Sequence, residues 1–175
     1  FREFLSLAFK QVYDSLKEGG AFYIWHADTE SVNFRLAAIE NGLTVKQNLI
    51  WVKNQFILGR QDYQWQHEPC LYGWKDGAGH YFTTNRKQST IIDDSTPLDM
   101  LTKDELIELI QTTILRYDKP LKNTDHPTMK PIPLIERLVR NSSRKGQIVL
   151  DTFGGSGTTL LACEKLGRKC YMMEY

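Results

Sequence analysis

The feature that most constrains the fold is a strand, a glycine-rich loop, a helix and a second strand at the end of the chain. "GQIVLDTF" is typical of a buried strand, "GTTLLACEKLG" of a helix and "KCYMMEY" of another strand, with "GGSG" after the first strand. This order predicts two parallel strands joined by a crossover helix. The loop then lies at the carboxyl edge of the sheet, where open α/β sheets bind ligands.

The same alternation runs through the first part of the chain. Apolar residues at helical spacing predict a helix over residues 2–18, followed by a Gly-Gly stop. "AFYIWH" and "TVKQNLIWVKN" are strand-like, and "TESVNFRLAAIENGL" between them is helical. The rhythm predicts an α/β fold, a mostly parallel sheet with helices on both faces.

The middle of the chain breaks this rhythm. From residue 55 to residue 93, aromatic, glycine and polar residues follow without a clear period, which favours loops and short antiparallel strands. "TPLDMLTKDELIELIQTTI" then predicts an amphipathic helix, in which Thr102 and Glu105 form a capping box. A proline-rich extended stretch leads to the helical "LIERLVRNSS".

Composition narrows the class of protein. The chain has 175 residues, of which 41% are hydrophobic and 25% charged, as in one soluble globular domain. No apolar run is long enough to cross a membrane. The three cysteines (Cys70, Cys163, Cys170) lack C-x-x-C spacing, so we expect a cytoplasmic protein with reduced thiols and no metal site. A net charge of +1 leaves nucleic-acid binding open, because a local patch decides it.

The glycine-rich loop allows several ligands. A P-loop needs a lysine directly after its last glycine, and none follows Gly157. A dinucleotide fingerprint needs a third glycine where this chain has Leu160. A nucleoside without a pyrophosphate needs small loop residues, a carboxylate at the strand end and a later acid for the ribose, which Asp151 and Glu174 supply. A purely structural turn also stays open.

Two motifs carry a resemblance to a known family. "DTFGGSGTT" resembles the D-P-F-x-G-S-G-T-T motif of amino-directed DNA methyltransferases, with Thr152 in place of proline. "HPTMKP" upstream resembles the H-P-T-x-K-P box that precedes this motif in the same family. The resemblance covers nearly the whole chain and is strongest to β-type members of phage and prophage origin.

The resemblance implies a Rossmann-like methyltransferase fold, incomplete in this chain, that binds S-adenosyl-L-methionine. In the β-type order the catalytic half precedes the cofactor half, which explains the late glycine loop. We expect one domain in three parts: a catalytic-side sheet (1–55), a loop-rich target-recognition region (56–120) and a cofactor-binding half (121–175). The family's catalytic [DNS]-P-P-[YFW] signature is absent, so we expect it upstream of Phe1 and this fragment to be inactive alone.

The resemblance also implies a set of cofactor-binding residues. Asp151 would face the methionine ammonium and Glu174 the ribose hydroxyls, while Thr128 and Lys130 would lie near the methionine carboxylate. The full expected set is His126, Pro127, Thr128, Lys130, Asp151, Phe153, Gly155, Gly157, Thr158 and Glu174. Each has a structural alternative; Lys130, for example, would serve equally as a solvated charge.

On the substrate side the implied partner is double-stranded DNA, methylated on N6 of adenine or N4 of cytosine after the base is flipped out. Basic and aromatic residues of the irregular region suit phosphate contacts and base stacking. The expected contacts are Lys53, Arg60, Tyr63, His67, Arg86 and Lys87. His26 and Asp28 follow a strand at its carboxyl edge, near the base or the cofactor, although Asp28 would equally cap a helix.

Several alternatives stay open at this point. The chain would also fit a non-catalytic remnant of the methyltransferase fold, or a methyltransferase that acts on RNA or protein. The sequence decides neither the target base nor the recognition sequence, and it leaves a homodimer open.

Overall fold

The computed structural model describes residues 1–84, 86, 88–93 and 129–174. The helices are α1 (Arg2–Ser15), α2 (Ser31–Glu40), α3 (Ile132–Ser142) and α4 (Thr158–Leu166), and a single 3-10 turn (Asp28–Glu30) precedes α2. The strands are β1 (Ala21–Trp25), β2 (Val45–Ile57), β3 (Trp65–Trp74), β4 (Ile91–Asp93), β5 (Ile148–Asp151) and β6 (Lys169–Met172). The amphipathic helix predicted within residues 96–114 lies outside the described residues.

The first four strands form one sheet in the order β1-β3-β2-β4. Strand β3 is antiparallel to both β1 and β2, and β4 is parallel to β2. Since β3 opposes both of its neighbours, β1 and β2 run in the same direction. The short antiparallel strands predicted here are instead one long hairpin of 13 and 10 residues, because cross-strand pairing sustains strands whose own periodicity is poor.

Helices cover both faces of this sheet, and the side chains of β1 pack against helices on both sides. Phe22 and Ile24 point to one face and pack with Leu5 and Phe9 of α1 and with α2. Tyr23 points to the other face, where its hydroxyl meets the Ser142 hydroxyl of α3 at 2.7 Å. Side chains alternate along a strand, so an apolar five-residue run serves two helical layers.

Strands β5 and β6 pair in parallel as a second, two-stranded sheet. Ile135 and Val139 of α3 pack there against Ala162 and Cys163 of α4. The predicted strand, loop, helix, strand unit is therefore confirmed.

All three cysteines are free. Burial raises the pKa of the Cys163 thiol to about 12.

Candidate cofactor and base site

The glycine-rich loop lies between the end of β5 and the start of α4. The Met173 amide donates to the Asp151 carbonyl at 2.9 Å, and the Gly154 amide donates to the Met173 carbonyl at 2.8 Å. These two bonds continue the β5–β6 pairing past the ends of the strands. The loop is thus anchored at its base, while residues 155–157 lie beyond the anchored part.

Glycine is required in this loop for two different structural reasons, a positive φ at two positions and close packing at a third. Gly155 and Gly157 have φ of 51° and 75°, the left-handed region that side chains disfavour. Among the described residues, a Cβ added at either would meet no heavy atom within 4 Å, so no described side chain fills the space beside the loop there. A Cβ at Gly154 would lie 2.1 Å from Cγ of Met172. Gly154 is therefore a packing glycine, which sequence reasoning missed, since only the folded chain brings Met172 against it.

Both predicted acids point at this loop. The Gly155 amide donates to Oε2 of Glu174 at 2.6 Å, and the Phe153 amide donates to Oδ1 of Asp151 at 3.2 Å. The Phe153 ring lies against Phe4 of α1, with 5.9 Å between ring centroids. The two carboxylates therefore orient backbone amides of the loop through contacts within the chain itself.

Lys130 connects this loop to a second feature. The Thr158 hydroxyl donates to the Lys130 carbonyl at 3.3 Å, which ties the segment before α3 to the start of α4. The Lys130 ammonium extends to Glu68 of β3, 3.2 Å from Oε2. One residue thus contacts the glycine-loop helix through its backbone and the large sheet through its side chain.

The second feature is a cavity of about 420 Å³ at the carboxyl end of β1. Because β3 is antiparallel to β1, the start of β3 lies beside the end of β1, and residues of both line the space. The lining is aromatic and charged: Trp25, His26, Ala27, Asp28, Thr29, Phe34, Trp65, His67, Glu68, Pro69 and Lys130. A flat apolar ligand with polar edges fits such a lining.

A charge network forms the wall of this cavity. The Lys53 ammonium lies 2.7 Å from Oε1 of Glu68, so two ammonium groups share one carboxylate. The Lys53 side chain is 7% exposed. Each ammonium also lies over an indole ring, Lys53 over Trp51 and Lys130 over Trp25, at 5.4 and 5.3 Å from the centroids. The two ammonium groups and the one carboxylate together carry one net positive charge.

The pKa of the Glu68 carboxyl reflects these neighbours. Burial alone would raise the pKa, but the Lys130 and Lys53 ammonium groups outweigh it and hold the pKa below its ordinary value. Sequence reasoning missed Glu68. The signal available was an acid in a run that is otherwise buried, "HEPCLYG", since a carboxylate in such a place needs cationic partners.

His26 is the most buried polar group of the cavity. It is 6% exposed, its Nδ1 lies 2.9 Å from the Ala27 carbonyl, and its ring stacks on Phe34. Its Nε2 is buried and has no hydrogen-bond partner among the described residues. A buried nitrogen without a protein partner indicates a place for a ligand group or water.

The predicted DNA contacts are not all brought together. Arg60 and Tyr63 lie in the exposed turn between β2 and β3, and His67 lines the cavity, 3.9 Å from Oδ1 of Asp28. Arg86 lies elsewhere, near His80, where burial and the charges of Arg86 and Lys46 lower the pKa of the imidazole. His80 stacks on Trp74, at the far end of β3.

Lys53 corrects the sequence prediction. It is predicted to contact DNA, but its side chain lies on β2, buried and paired with Glu68. The physical reason is the hairpin, which places a carboxylate beside it and an indole beneath it.

Four predicted residues are not placed. Lys87, His126, Pro127 and Thr128 lie outside the described residues. Within the described ranges, no group of three or more His, Cys, Asp or Glu side chains is arranged to hold a metal ion. No described helix is long and apolar enough to cross a membrane.

Comparison with known proteins identifies a family and several similar structures. A family model described as DNA methylase matches residues 1–175. The DNA adenine methyltransferase YhdJ of Escherichia coli K12 is 27% identical over 185 residues, which cover 99% of this chain and 62% of YhdJ. The chain therefore spans less than two thirds of the length of that curated relative.

Solved structures agree with the fold. The complex of M1.HpyAVI with SAM superposes with a TM-score of 0.72 at 25% identity, over 97% of this chain and 74% of that one. The cytosine-N4-specific PvuII DNA methyltransferase superposes with a TM-score of 0.71 at 18% identity, over 98% of this chain and 64% of that one, a likeness in fold alone. The Rossmann-like methyltransferase fold predicted from the sequence is thereby confirmed.

Proposed function

This chain belongs to the DNA methylase family that acts on N6 and N4 amines, and from that premise we propose that it forms part of an enzyme that methylates the exocyclic amine of adenine or cytosine in DNA. The methyl donor is S-adenosylmethionine. The observation that carries the proposal is the joint at Lys130, whose backbone contacts the glycine-loop helix and whose ammonium lines the aromatic cavity. Methyl transfer requires the donor methyl group and the acceptor amine to lie side by side, and Lys130 links the proposed donor site to the proposed base site.

The glycine loop suits the donor. No side chain of the described residues lies within 4 Å of a Cβ position at Gly155 or Gly157, so the backbone there is accessible to a ligand from the described part of the chain. Asp151 would balance the methionine ammonium, and Lys130 would lie near the methionine carboxylate. Glu174 holds the Gly155 amide, and a carboxylate has acceptor capacity left for a ribose hydroxyl. M1.HpyAVI was crystallised with SAM, which supports the same ligand here.

The cavity suits an extruded base. Trp25 and Trp65 supply flat apolar surface, and Nε2 of His26 supplies a polar atom without a protein partner among the described residues. A base inside a duplex cannot reach such a site, so it must first leave the stack. S-adenosylmethionine, when bound, supplies an electrophilic methyl group on a sulfonium. The residues of the glycine-rich loop and of the cavity would position the donor and the base and exclude water, and positioning of this kind supplies a large part of the catalysis.

The proposal is tested with the protein in its full natural length. Purified protein is incubated with S-adenosylmethionine labelled in the methyl group and with plasmid DNA, and the hydrolysed nucleosides are separated by mass spectrometry. We expect label in N6-methyladenine or N4-methylcytosine, and the product identifies the target base. Label in RNA or protein instead would favour the alternative substrates, and absence of any label with bound cofactor would favour a non-catalytic remnant.

Cofactor roles are tested by calorimetry of S-adenosylmethionine binding. Asp151→Ala and Glu174→Ala should each weaken binding by about tenfold or more, since each removes a charge-assisted contact. Glu164→Gln on the exposed side of α4 is the matched control and should bind as the wild type does. Unchanged affinity in both acid variants would contradict the assignment.

Three further proposals concern the intact protein. We propose that its partner is double-stranded DNA and that residues 56–120 contribute to target recognition. We propose a homodimer, supported by an exposed apolar stripe on α2 formed by Val32, Leu36 and Ile39. Light scattering of the wild type and of Leu36→Glu measures the assembly, and a monomer in both would contradict it. A cytoplasmic location and a phage or prophage origin stay predictions.

A further inference from the structure

The turn between β2 and β3 presents large apolar side chains to solvent. Leu58 is 82% exposed and Tyr63 is 91% exposed, and Phe56 beside them is 55% exposed. Single exposed apolar residues are ordinary on protein surfaces, but several on one narrow turn form a projecting apolar tip. We refer to residues 58–63 as the hairpin tip.

The hairpin tip is braced in its projecting position. The Gly59 amide donates to Oε1 of Gln64 at 2.6 Å, and Nε2 of Gln64 donates to the Gln61 carbonyl at 2.7 Å. One glutamine side chain thus holds two backbone groups of the turn. Bracing reduces the conformational entropy that the tip would lose on entering a partner. The apolar side chains of the turn are therefore held away from the core, where a partner can reach them.

The hairpin tip also adjoins the cavity. Trp65 and His67 of β3 follow the tip directly and line the cavity wall, with 5.5 Å between their ring centroids. The charges on the tip are balanced, Arg60 against Asp62. Its approach to a partner is therefore governed by its apolar side chains rather than by charge, and the partner meets the tip beside the cavity mouth.

From these observations we propose that the hairpin tip is a wedge that enters the DNA base stack, with Leu58 and Tyr63 filling the space that the target base leaves. The inference rests on the proposed function, since a base must leave the stack to reach the cavity. Extrusion of a base opens an apolar gap between base pairs. Apolar side chains inserted at such steps offset the lost stacking.

The test compares two duplexes. The methylated sequence is first read from plasmid DNA treated with the full-length wild type. Two oligonucleotide duplexes then carry that sequence, one with the target base normally paired and one with an abasic site opposite it. The abasic site removes the pairing that opposes extrusion, so a wedge is needed less on that duplex.

The variant for this test is the double change Leu58→Ala with Tyr63→Ala. We expect kcat/KM to fall by about tenfold or more on the paired duplex and by about twofold or less on the abasic duplex. Tyr63→Phe keeps a ring for stacking and should retain activity within about threefold on both duplexes. Leu7→Ala, an exposed change on α1, is the control and should match the wild type on both.

The outcomes separate this inference from the proposed function. Equal activity of the double variant and the wild type on the paired duplex, or equal loss on both duplexes, would overturn the wedge while leaving methylation intact. Unchanged circular dichroism and cofactor affinity in the double variant establish that it is folded. If the wild type methylates no DNA, the proposed function fails and the wedge fails with it.

Discussion

At the scale of single residues, the cavity wall depends on one carboxylate. Glu68 accepts from two ammonium groups, one of them almost fully buried. Removing one member of a buried ion pair costs more than the pair itself contributes, because the remaining charge stays desolvated. Here two cations would remain, at 7% and 19% side-chain exposure, with no carboxylate between them.

Glu68→Gln should therefore lower the free energy of unfolding by about 2–4 kcal/mol near neutral pH. Urea denaturation measures this change. Glu164→Gln, an exposed acid on α4, is the control and should stay within about 0.5 kcal/mol of the wild type. A Glu68 variant as stable as that control would mean that water, and not the carboxylate, solvates the two lysines.

The same carboxylate predicts a pH dependence. The Glu68 pKa is lower in the folded chain than in the unfolded one, so the ionised group contributes stability above the unfolded value. That stability is lost as pH falls through the folded value. The difference in unfolding free energy between wild type and Glu68→Gln should thus be constant near neutrality and shrink in acid. Denaturation at a series of pH values measures it, and a difference that grows in acid would contradict the prediction.

Gly154 offers a second test at this scale. Gly154→Ala places a Cβ against Met172, and overpacking of this kind should cost about 1–3 kcal/mol of unfolding free energy. Gly79→Ala is the control, because its added Cβ meets no atom of the described residues within 4 Å. Adding Met172→Ala to Gly154→Ala should recover part of the loss if contact with that side chain is the cause. No recovery in the double variant would assign the cost to the backbone.

At the scale of elements, α3 joins the two sheets. Leu134 of α3 is fully buried and packs with Trp51 of β2, next to Trp25. One turn of the same helix, with Ile135 and Val139, packs on α4. A single amphipathic helix therefore positions the glycine loop relative to the cavity.

Leu134→Ala should reduce the free energy of unfolding by about 2–5 kcal/mol, as expected for a buried leucine replaced by alanine. Leu161→Ala on the exposed side of α4 is the control, and thermal or urea denaturation compares the two. Because α3 holds both halves, Leu134→Ala should also weaken S-adenosylmethionine binding, whereas Leu161→Ala should not. Equal stability of the two variants would contradict the joining role of α3.

At the scale of the whole molecule, the two halves differ in how they are held. In the large sheet Phe22 packs on α1 and Tyr23 contacts α3, whereas the β5–β6 pair packs on α3 and α4 and carries the glycine-rich loop. Ligand binding stabilises the segments that contact the ligand. Binding at the loop should therefore stabilise the second half more than the first.

Amide hydrogen exchange tests this difference. S-adenosylmethionine should slow exchange in residues 151–158 and 172–174, with little change in β3, because linkage stabilises the segments that contact the ligand. Mass spectrometry of peptides with and without the cofactor measures the change. Uniform protection across the chain, or protection confined to β3, would contradict the assignment of the loop as the cofactor site.

Sequence reasoning predicted the parts of this molecule that are local. The β5–α4–β6 unit follows from apolar periodicity and from glycines at positions of positive φ, and the helices on either side of β1 follow from an apolar run. The motifs "DTFGGSGTT" and "HPTMKP" pointed to the family because their residue types are read without knowing the fold. Each of these features depends on residues that are close together in the sequence.

The tertiary structure alone decided the features that depend on distant residues. The pairing of β2 with β3 buried Lys53, which was predicted to contact DNA, and brought Glu68 between two lysines far apart in the chain. Gly154 became a packing position only when Met172 lay against it. Neither result can be predicted from a local sequence pattern, because burial and ion pairing depend on which segments pack together. The sequence of one segment does not specify which distant segment will pack against it.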